Sequence, residues 1–141
     1  MNLQTKKKVH LRIALDTMSN RSYISNQAAL QLGLNLERSE QLGVSVFGSQ
    51  QHVEMRSSVV KFGIIEKSGN VRTIEANTSE TISKSSVLPS KVPQNVSDLL
   101  RPWALSGCLA DDIEDSHNTI DVLIGATYAW DMIVGSRQQL A

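Results

Sequence analysis

Cysteine is almost absent from this 141-residue chain: Cys108 is the single one, so no disulfide can form within the chain. Without a disulfide framework or a recognisable signal peptide, the sequence predicts an intracellular, cytoplasmic protein in a reducing compartment. A catalytic thiol at Cys108 would need a neighbouring base, and nothing in the sequence places His52 or His117 beside it. Cys108 is therefore interpreted as a small packed residue.

A net charge is also missing, because 14 basic residues balance 14 acidic ones. Surfaces that bind nucleic acid carry an excess of basic side chains, so we expect no nucleic-acid binding by this domain. The basic run Lys6–Lys8 is interpreted as part of a solvated, polar N-terminal segment, residues 1–8. No apolar run approaches the roughly 18–20 residues of a membrane-spanning helix, so no membrane attachment is expected.

Metal-binding motifs are absent as well. The segment "DDIEDSH" carries ligand-type side chains, but their spacing matches neither a calcium loop nor a zinc motif. These side chains belong to Asp111, Asp112, Glu114, Asp115 and His117. We interpret this segment as a solvated loop, and we expect no metal and no cofactor.

The first pattern that is present predicts a strand followed by a short helix. Residues 9–15 alternate, and that period of two indicates a strand with one buried face, ending at Asp16. The buried set would comprise Val9, Leu11, Ile13 and Leu15. After a polar turn, Ser25 is a good N-cap for a helix, and Gly33 suits its left-handed C-terminal cap. The buried face of that helix would carry Ala28, Ala29 and Leu32.

The rest of the chain predicts further short strands. Strand-like segments are 42–47, 53–65 and 71–76, with hairpin turns at Gly48-Ser49 and at residues 67–70. Residues 77–90 fit either strand or loop, and a short helix over 95–103 is possible from its pattern. An apolar strand over 120–125 is followed by a short helix beginning at Ala126. We therefore predict a single, mostly β domain over 9–136 with a tail at 137–141, excised from a larger protein.

Three segments of the sequence occur in an informative order and spacing. They read "IALDTMSNRSYI" (13–24), "VSVFGS" (44–49) and "LADDIEDSHNTIDVLIGATYAWDMI" (109–133). The first is an apolar strand ending in Asp-Thr, and the third contains an apolar strand ending in Ile-Gly before a helix. From the first to the last they span residues 13–133, most of the chain, and together they resemble the retropepsin family of aspartic peptidases, most closely the peptidase domain of Pao/BEL-type retrotransposon polyproteins.

The resemblance implies a closed, barrel-like β fold with a flap hairpin over a cleft and two or three short helices. It also implies the site residues. The catalytic residues would be Asp16 and Thr17, with Met18 and Ser19 completing the active-site loop. The flap would be formed by Phe47, Gly48 and Ser49. The strand that supports the loop would contribute Leu123, Ile124 and Gly125.

An aspartic peptidase needs two carboxylates about 3 Å apart that share one proton. Only Asp16 follows an apolar strand and precedes Thr or Ser. The remaining aspartates are Asp98, Asp111, Asp112, Asp115, Asp121 and Asp131. We therefore expect a two-fold homodimer in which the two copies of Asp16 meet on the axis, and the resemblance implies that Thr17 hydrogen-bonds across it.

Met18 departs from the family, which has glycine at that position. In a dimer, two methionine side chains would either turn away and shift the loop or fill the site for water and substrate. Two hypotheses follow. The domain is a dimeric aspartic endopeptidase that cuts extended polypeptide, with activity weakened or lost through Met18. Alternatively, it is an inactive module in a domesticated host protein, kept for homodimerisation or for binding a peptide or another protein.

Overall fold

The computed structural model describes residues 1–45, 52–80, 82, 98–99, 101–102 and 119–133. The chain forms two compact units, residues 1–82 with 121–141, and residues 83–120. In the second unit, residues 98–99 and 101–102 are helical, and Arg101 Nη2 lies 3.8 Å from Asp98 Oδ1. The single domain expected over 9–136 stays a prediction.

The described residues of the first unit form six strands and two short helices. In chain order these are β1 (Ile13–Leu15), β2 (Tyr23–Ser25), α1 (Asn26–Leu32), β3 (Arg38–Ser45), β4 (His52–Ile65), β5 (Val71–Ser79), β6 (Val122–Ile124) and α2 (Ala126–Met132). Strand residues outnumber helical ones, so the expectation of a mostly β protein with short helices is confirmed. Within the described parts of the chain, no helix has the length and apolar character that a bilayer crossing requires.

The strands form one mixed sheet in the order β1-β6-β2-β5-β4-β3. The pairs β1–β6 and β2–β5 are parallel, and the other neighbouring strands are antiparallel. In the described residues the sheet is open, with β1 and β3 as its edges, so the expected barrel-like closure is not observed. Closure would need hydrogen bonds between the edge strands, but among the strands that the structure describes β1 pairs only with β6 and β3 only with β4.

The β4–β5 hairpin lies where the sequence predicts it. Strands β3 and β4 form the expected antiparallel pair, from Arg38↔Val59 to Ser45↔His52, but β3 begins at Arg38, before the predicted start at 42. The predicted tip of this hairpin, Gly48-Ser49, lies outside the described residues. Between β4 and β5, Gly69 has φ +86°, a left-handed conformation that glycine adopts without strain. Strand β5 continues to Ser79, which decides the start of the ambiguous segment 77–90 in favour of strand.

Helix α1 has the predicted caps. Ser25 Oγ accepts a hydrogen bond from the backbone N–H of Ala28 at 3.1 Å, and Gly33 ends the helix at φ +66°. The predicted face of Ala28, Ala29 and Leu32 is buried, and it packs against core residues of the sheet. The core cluster consists of Ile24, Ala28, Ala29, Leu32, Val60, Phe62, Ile74, Ala76, Val122, Ile124 and Ala129.

Strand β1 is shorter and less buried than the sequence predicts. The strand covers only Ile13–Leu15, and the side chains of Ile13 and Leu15 are 38% and 44% exposed. The predicted buried face is therefore wrong for these two residues, whereas Val9 and Leu11 do pack against the core. Before Ile13, the backbone of β1 does not continue the regular pairing with β6. The N–H of Arg12 donates instead to the side chain of Asp121, at 2.9 Å from Oδ2.

Asn2 joins the N-terminal segment to the end of α1. Its side chain is buried, and Nδ2 donates to the carbonyl oxygens of Leu32 at 2.9 Å and Gly33 at 3.2 Å. Its Oδ1 accepts from the N–H groups of Gln4 at 2.9 Å and Thr5 at 3.1 Å. One amide thus satisfies two carbonyls at a helix end, which have no partner within the helix.

We expect Asn2→Ala to lower the free energy of unfolding by about 1–3 kcal/mol, because buried polar groups lose their partners. Urea denaturation followed by circular dichroism measures the change. Asn35→Ala is the matched control, since exposed Asn35 makes one side-chain bond, 3.3 Å to Gln4 Oε1. The control should stay within about 0.5 kcal/mol of wild type. An equal loss in both variants would contradict the assigned capping role.

Candidate active site

The Asp16 loop begins where strand β1 leaves its pairing with β6. The N–H of Asp16 donates to the carbonyl oxygen of Ile124 at 2.9 Å and so extends the parallel ladder by one bond. Its carboxylate bonds to the backbone of the same loop: Asp16 Oδ1 accepts a hydrogen bond from the N–H of Met18 at 3.0 Å. This local bond is typical of aspartate in turns. Asp16 and Thr17 are both partly buried, and one carboxylate oxygen of Asp16 is thereby held in a defined direction.

Gly125 lies directly under this loop, where a side chain would not fit. A Cβ at this position would lie 2.5 Å from the carbonyl oxygen of Arg21 and 2.8 Å from that of Ser19. The backbone groups around it are joined to the loop as well. The N–H of Gly125 donates to buried Ser22 Oγ at 2.9 Å, and the N–H of Ala126 donates to the carbonyl oxygen of Ser19 at 2.8 Å. Glycine is required here by close backbone approach.

Met18 occupies the tip of the loop. Met18 is 92% exposed, so in the single protomer its side chain lies in solvent. Among the described residues, Lys6 is the one non-glycine residue with positive φ, so Met18 does not need the left-handed conformation that favours glycine. Methionine is therefore compatible with the backbone of this loop.

The structure brings most of the sequence-predicted site residues together. The loop Asp16–Ser19 lies beside β6, and Leu15 pairs with Ile124 while Ala14 pairs with Leu123. The predicted flap residues lie outside the described part of the chain, as do Cys108 and the acidic segment 111–117. Among the described residues, no group of three or more His, Cys, Asp or Glu side chains could hold a metal ion.

A depression of about 210 Å³ lies beside the loop. It is lined by Ser19, Tyr23, Ser79, Ile82 and Leu123. Tyr23 and Leu123 are direct neighbours across the antiparallel pair β2–β6 and form adjacent parts of its wall. Nothing in the sequence marks Tyr23 as part of a site. No local signal could have done so, because Tyr23 reaches Leu123 only through pairing with a strand 100 residues later.

A charged network, which we call the Arg21 network, lies on the other side of the loop residues. Arg21 Nη1 donates to Glu40 Oε2 at 2.9 Å and to Asn77 Oδ1 at 3.4 Å. Glu40 also accepts from Arg38 Nε at 3.0 Å, and Arg38 in turn pairs with Glu75. The network therefore links the loop to β3 and β5. The sequence does not predict this network, since its members are residues of separate strands with no common motif.

Hydrogen bonds within the Arg21 network favour the ionised form of its carboxylates. The hydrogen bond from Asn77, followed by that from Arg38, lowers the pKa of Glu40 from its usual value of 4.5. The hydrogen bond from Arg38 likewise lowers the pKa of Glu75, and the one to Glu75 raises the pKa of Arg38. Beneath these charges, the side chain of Val59 is 2% exposed, flanked in register by Arg38 and Asn77. The network thus covers an apolar residue with paired charges.

Ser22 tests how the loop is joined to β6. We expect Ser22→Ala to lower the free energy of unfolding by about 1–3 kcal/mol, because the buried N–H of Gly125 loses its acceptor. Ser39→Ala, at an exposed position on β3, serves as the control and should change it by less than about 0.5 kcal/mol. Thermal and urea unfolding measure both variants. Unchanged stability in Ser22→Ala would show that water or another group replaces the hydroxyl.

The lowered pKa of Glu40 predicts a specific acid response. A carboxyl group whose pKa is lower in the folded state stabilises the protein above its unfolded pKa, and this contribution disappears as pH falls through the folded value. The wild-type urea midpoint should therefore fall more steeply than that of Glu40→Gln below about pH 4.5. The difference should shrink in about 1 M salt, since the pair is partly exposed. If the urea midpoints of the two proteins fell equally steeply with decreasing pH, this assignment would be contradicted.

Comparison of the whole chain with protein-family models, with curated proteins and with solved structures finds no match in any of the three.

Proposed function

We propose that this chain is a retropepsin-like aspartic peptidase domain of the Pao/BEL retrotransposon type, with the corresponding fold, which acts in the cytoplasm as a homodimer on polypeptide substrates. One observation carries the proposal. Asp16 ends a strand that is paired in parallel with β6, and the glycine after β6 lies in backbone contact with the loop after Asp16. An Asp-Thr pair in an ordinary turn would not need such a support.

The proposed chemistry uses one Asp16 from each protomer. Two carboxylates about 3 Å apart share one proton. The ionised carboxylate accepts a proton from a water molecule, whose oxygen adds to the scissile carbonyl carbon. The protonated carboxyl group polarises that carbonyl, and a proton passes to the amide nitrogen as the C–N bond breaks. Neither a metal nor a cofactor takes part in this proposed reaction.

Exposed apolar side chains near Asp16 support a dimer. Ile13 and Leu15 lie on the edge strand β1, and Met18 lies at the tip of the loop. Apolar surface of this kind favours association, because burial removes it from water at roughly 25 cal/mol per Å². A second copy would cover these side chains and supply the second carboxylate. The same copy would thus complete the site and stabilise the assembly.

The depression lined by Tyr23 and Leu123 supports a polypeptide substrate. It adjoins Ser19 of the loop and has room for a side chain of the bound peptide. In this proposal the hairpin between β3 and β4 is the flap, with Phe47, Gly48 and Ser49 at its tip. An extended peptide would lie between flap and loop, so that its scissile bond reaches both copies of Asp16.

Peptide cleavage tests the proposal directly. Purified protein should cleave members of a peptide library at about pH 5, where a shared proton is retained. Asp16→Asn should abolish cleavage, whereas Asp131→Asn, at an exposed position on α2, should not. Met18→Gly should raise kcat/KM by about tenfold to a hundredfold if crowding displaces the catalytic groups. Absence of cleavage by both the wild type and Met18→Gly would rule out the peptidase.

A second candidate function is favoured by the 92% exposure of Met18. The domain would be an inactive module that dimerises, or binds a peptide or protein partner, through this apolar surface beside the loop. Here Asp16→Asn leaves the dimer and its biological role intact, whereas Leu15→Asp gives monomers by analytical ultracentrifugation and abolishes the role. Equal failure of the two variants in the biological assay would count against the binding module.

A further inference from the structure

Arg21 makes hydrogen bonds both within the Asp16 loop and to two strands of the sheet. Its backbone is part of the loop: the carbonyl oxygen of Arg21 accepts the hydroxyl of Ser19 at 2.8 Å and closely approaches Gly125. Its side chain leaves the loop and reaches Glu40 on β3 and Asn77 on β5. Arg21 therefore connects the backbone of the Asp16 loop to strands β3 and β5.

Glu40, the acceptor of Arg21 on β3, is held by further hydrogen bonds. Glu40 accepts hydrogen bonds from Arg38 at 3.0 Å and from Asn77 Nδ2 at 3.3 Å, besides that from Arg21. Asn77 is further fixed by its backbone, whose N–H donates to the carbonyl oxygen of Ser22 at 2.9 Å. A carboxylate with three donors has little freedom to follow a moving loop, so the acceptor of Arg21 is a fixed point on the sheet.

We propose that Arg21 is a positioning residue, which holds the Asp16 loop in one conformation by its hydrogen bonds to Glu40 and Asn77. Exposed ion pairs contribute little to the free energy of unfolding, and the side chain of Arg21 is 48% exposed. Its effect is therefore on the geometry of the loop. The consequence for catalysis rests on the proposed peptidase function, in which a displacement of about 1 Å costs on the order of a hundredfold in rate.

Arginine suits this role better than lysine. A single nitrogen, Nη1, reaches acceptors on two different strands, and the planar guanidinium keeps that direction fixed. Lysine would retain the charge but present it at the end of a flexible chain. Arg21→Lys therefore separates positioning from charge: it preserves the attraction to Glu40 and loses the fixed geometry.

The test measures the loop directly by NMR on the whole ¹⁵N-labelled chain. Amide exchange and chemical shifts are followed at Met18 and Ala126, whose N–H groups bond to Asp16 and Ser19. In Arg21→Ala, both amides should exchange about three- to tenfold faster, as for loss of a charge-assisted hydrogen bond. Glu40→Gln should also speed exchange at these two amides. Combining it with Arg21→Ala should change their exchange rates little further. Arg21→Lys should fall between wild type and Arg21→Ala.

Arg72→Ala is the matched control. Arg72 pairs with Glu66 at 2.7 Å in a partly exposed setting beside the β4–β5 turn, away from the Asp16 loop. It should leave the loop amides unchanged, with a urea midpoint close to that of Arg21→Ala. Unchanged loop amides in Arg21→Ala, or an equal response in Arg72→Ala, would overturn the proposal.

A further measurement needs no variant and decides the case if Arg21→Ala does not fold. Raising the salt concentration of wild-type protein to about 1 M should weaken the ion pair and speed exchange at Met18 and Ala126 relative to core amides. Salt-independent loop exchange would overturn the proposal. If cleavage is observed, Arg21→Ala should lower kcat more than it changes KM. If none is observed, the loop amides still decide the role of Arg21, so the two proposals fail separately.

Discussion

Close backbone contact between Gly125 and the loop after Asp16 is the constraint on which the site depends. It joins two parts of the chain that are far apart in sequence: Arg12 and Asp121, which lead into β1 and β6, are 109 positions apart. Bringing such distant segments together costs chain entropy, which local contacts cannot offset. Hydrogen bonds along this segment offset that cost, from those at Asp121, just before β6, to the one at Ala126, the first residue of α2. A side chain at position 125 would collide with the backbone of Ser19 and Arg21, so the loop could not keep this approach to β6.

The same contact explains how a short polar loop is held without a regular partner strand. Ser22 Oγ receives the N–H of Gly125, and the carbonyl oxygen of Ser19 receives that of Ala126. On its other side the loop is linked to β3 and β5 through Arg21. Support from two directions is what a site needs if its reactive group is to be in position before a ligand arrives. Exposed Met18 lies outside this support, which is why the loop accommodates methionine.

A single protomer presents one carboxylate at the end of an edge strand whose apolar side chains face solvent. These two features complement each other in a symmetric assembly, because a two-fold axis beside β1 would double the carboxylate and bury the apolar surface in one step. Both proposed functions, the peptidase and the binding module, would use that assembly. They differ in whether two copies of Met18 leave space for water between the carboxylates, a matter of a few ångströms at the axis.

Local chemistry was readable from the sequence alone. The caps of α1 at Ser25 and Gly33, the turn at Gly69 and the helix after Gly125 all follow from residues a few positions apart, whose conformational preferences act within one turn. The position of Asp16 at a strand end was predicted in the same way. The order of the strands, the exposure of Ile13 and Leu15, the pairing of Tyr23 with Leu123 and the Arg21 network were decided only by the tertiary structure. They depend on contacts between residues tens of positions apart, and no local preference specifies which distant partner a strand edge or a charge will meet.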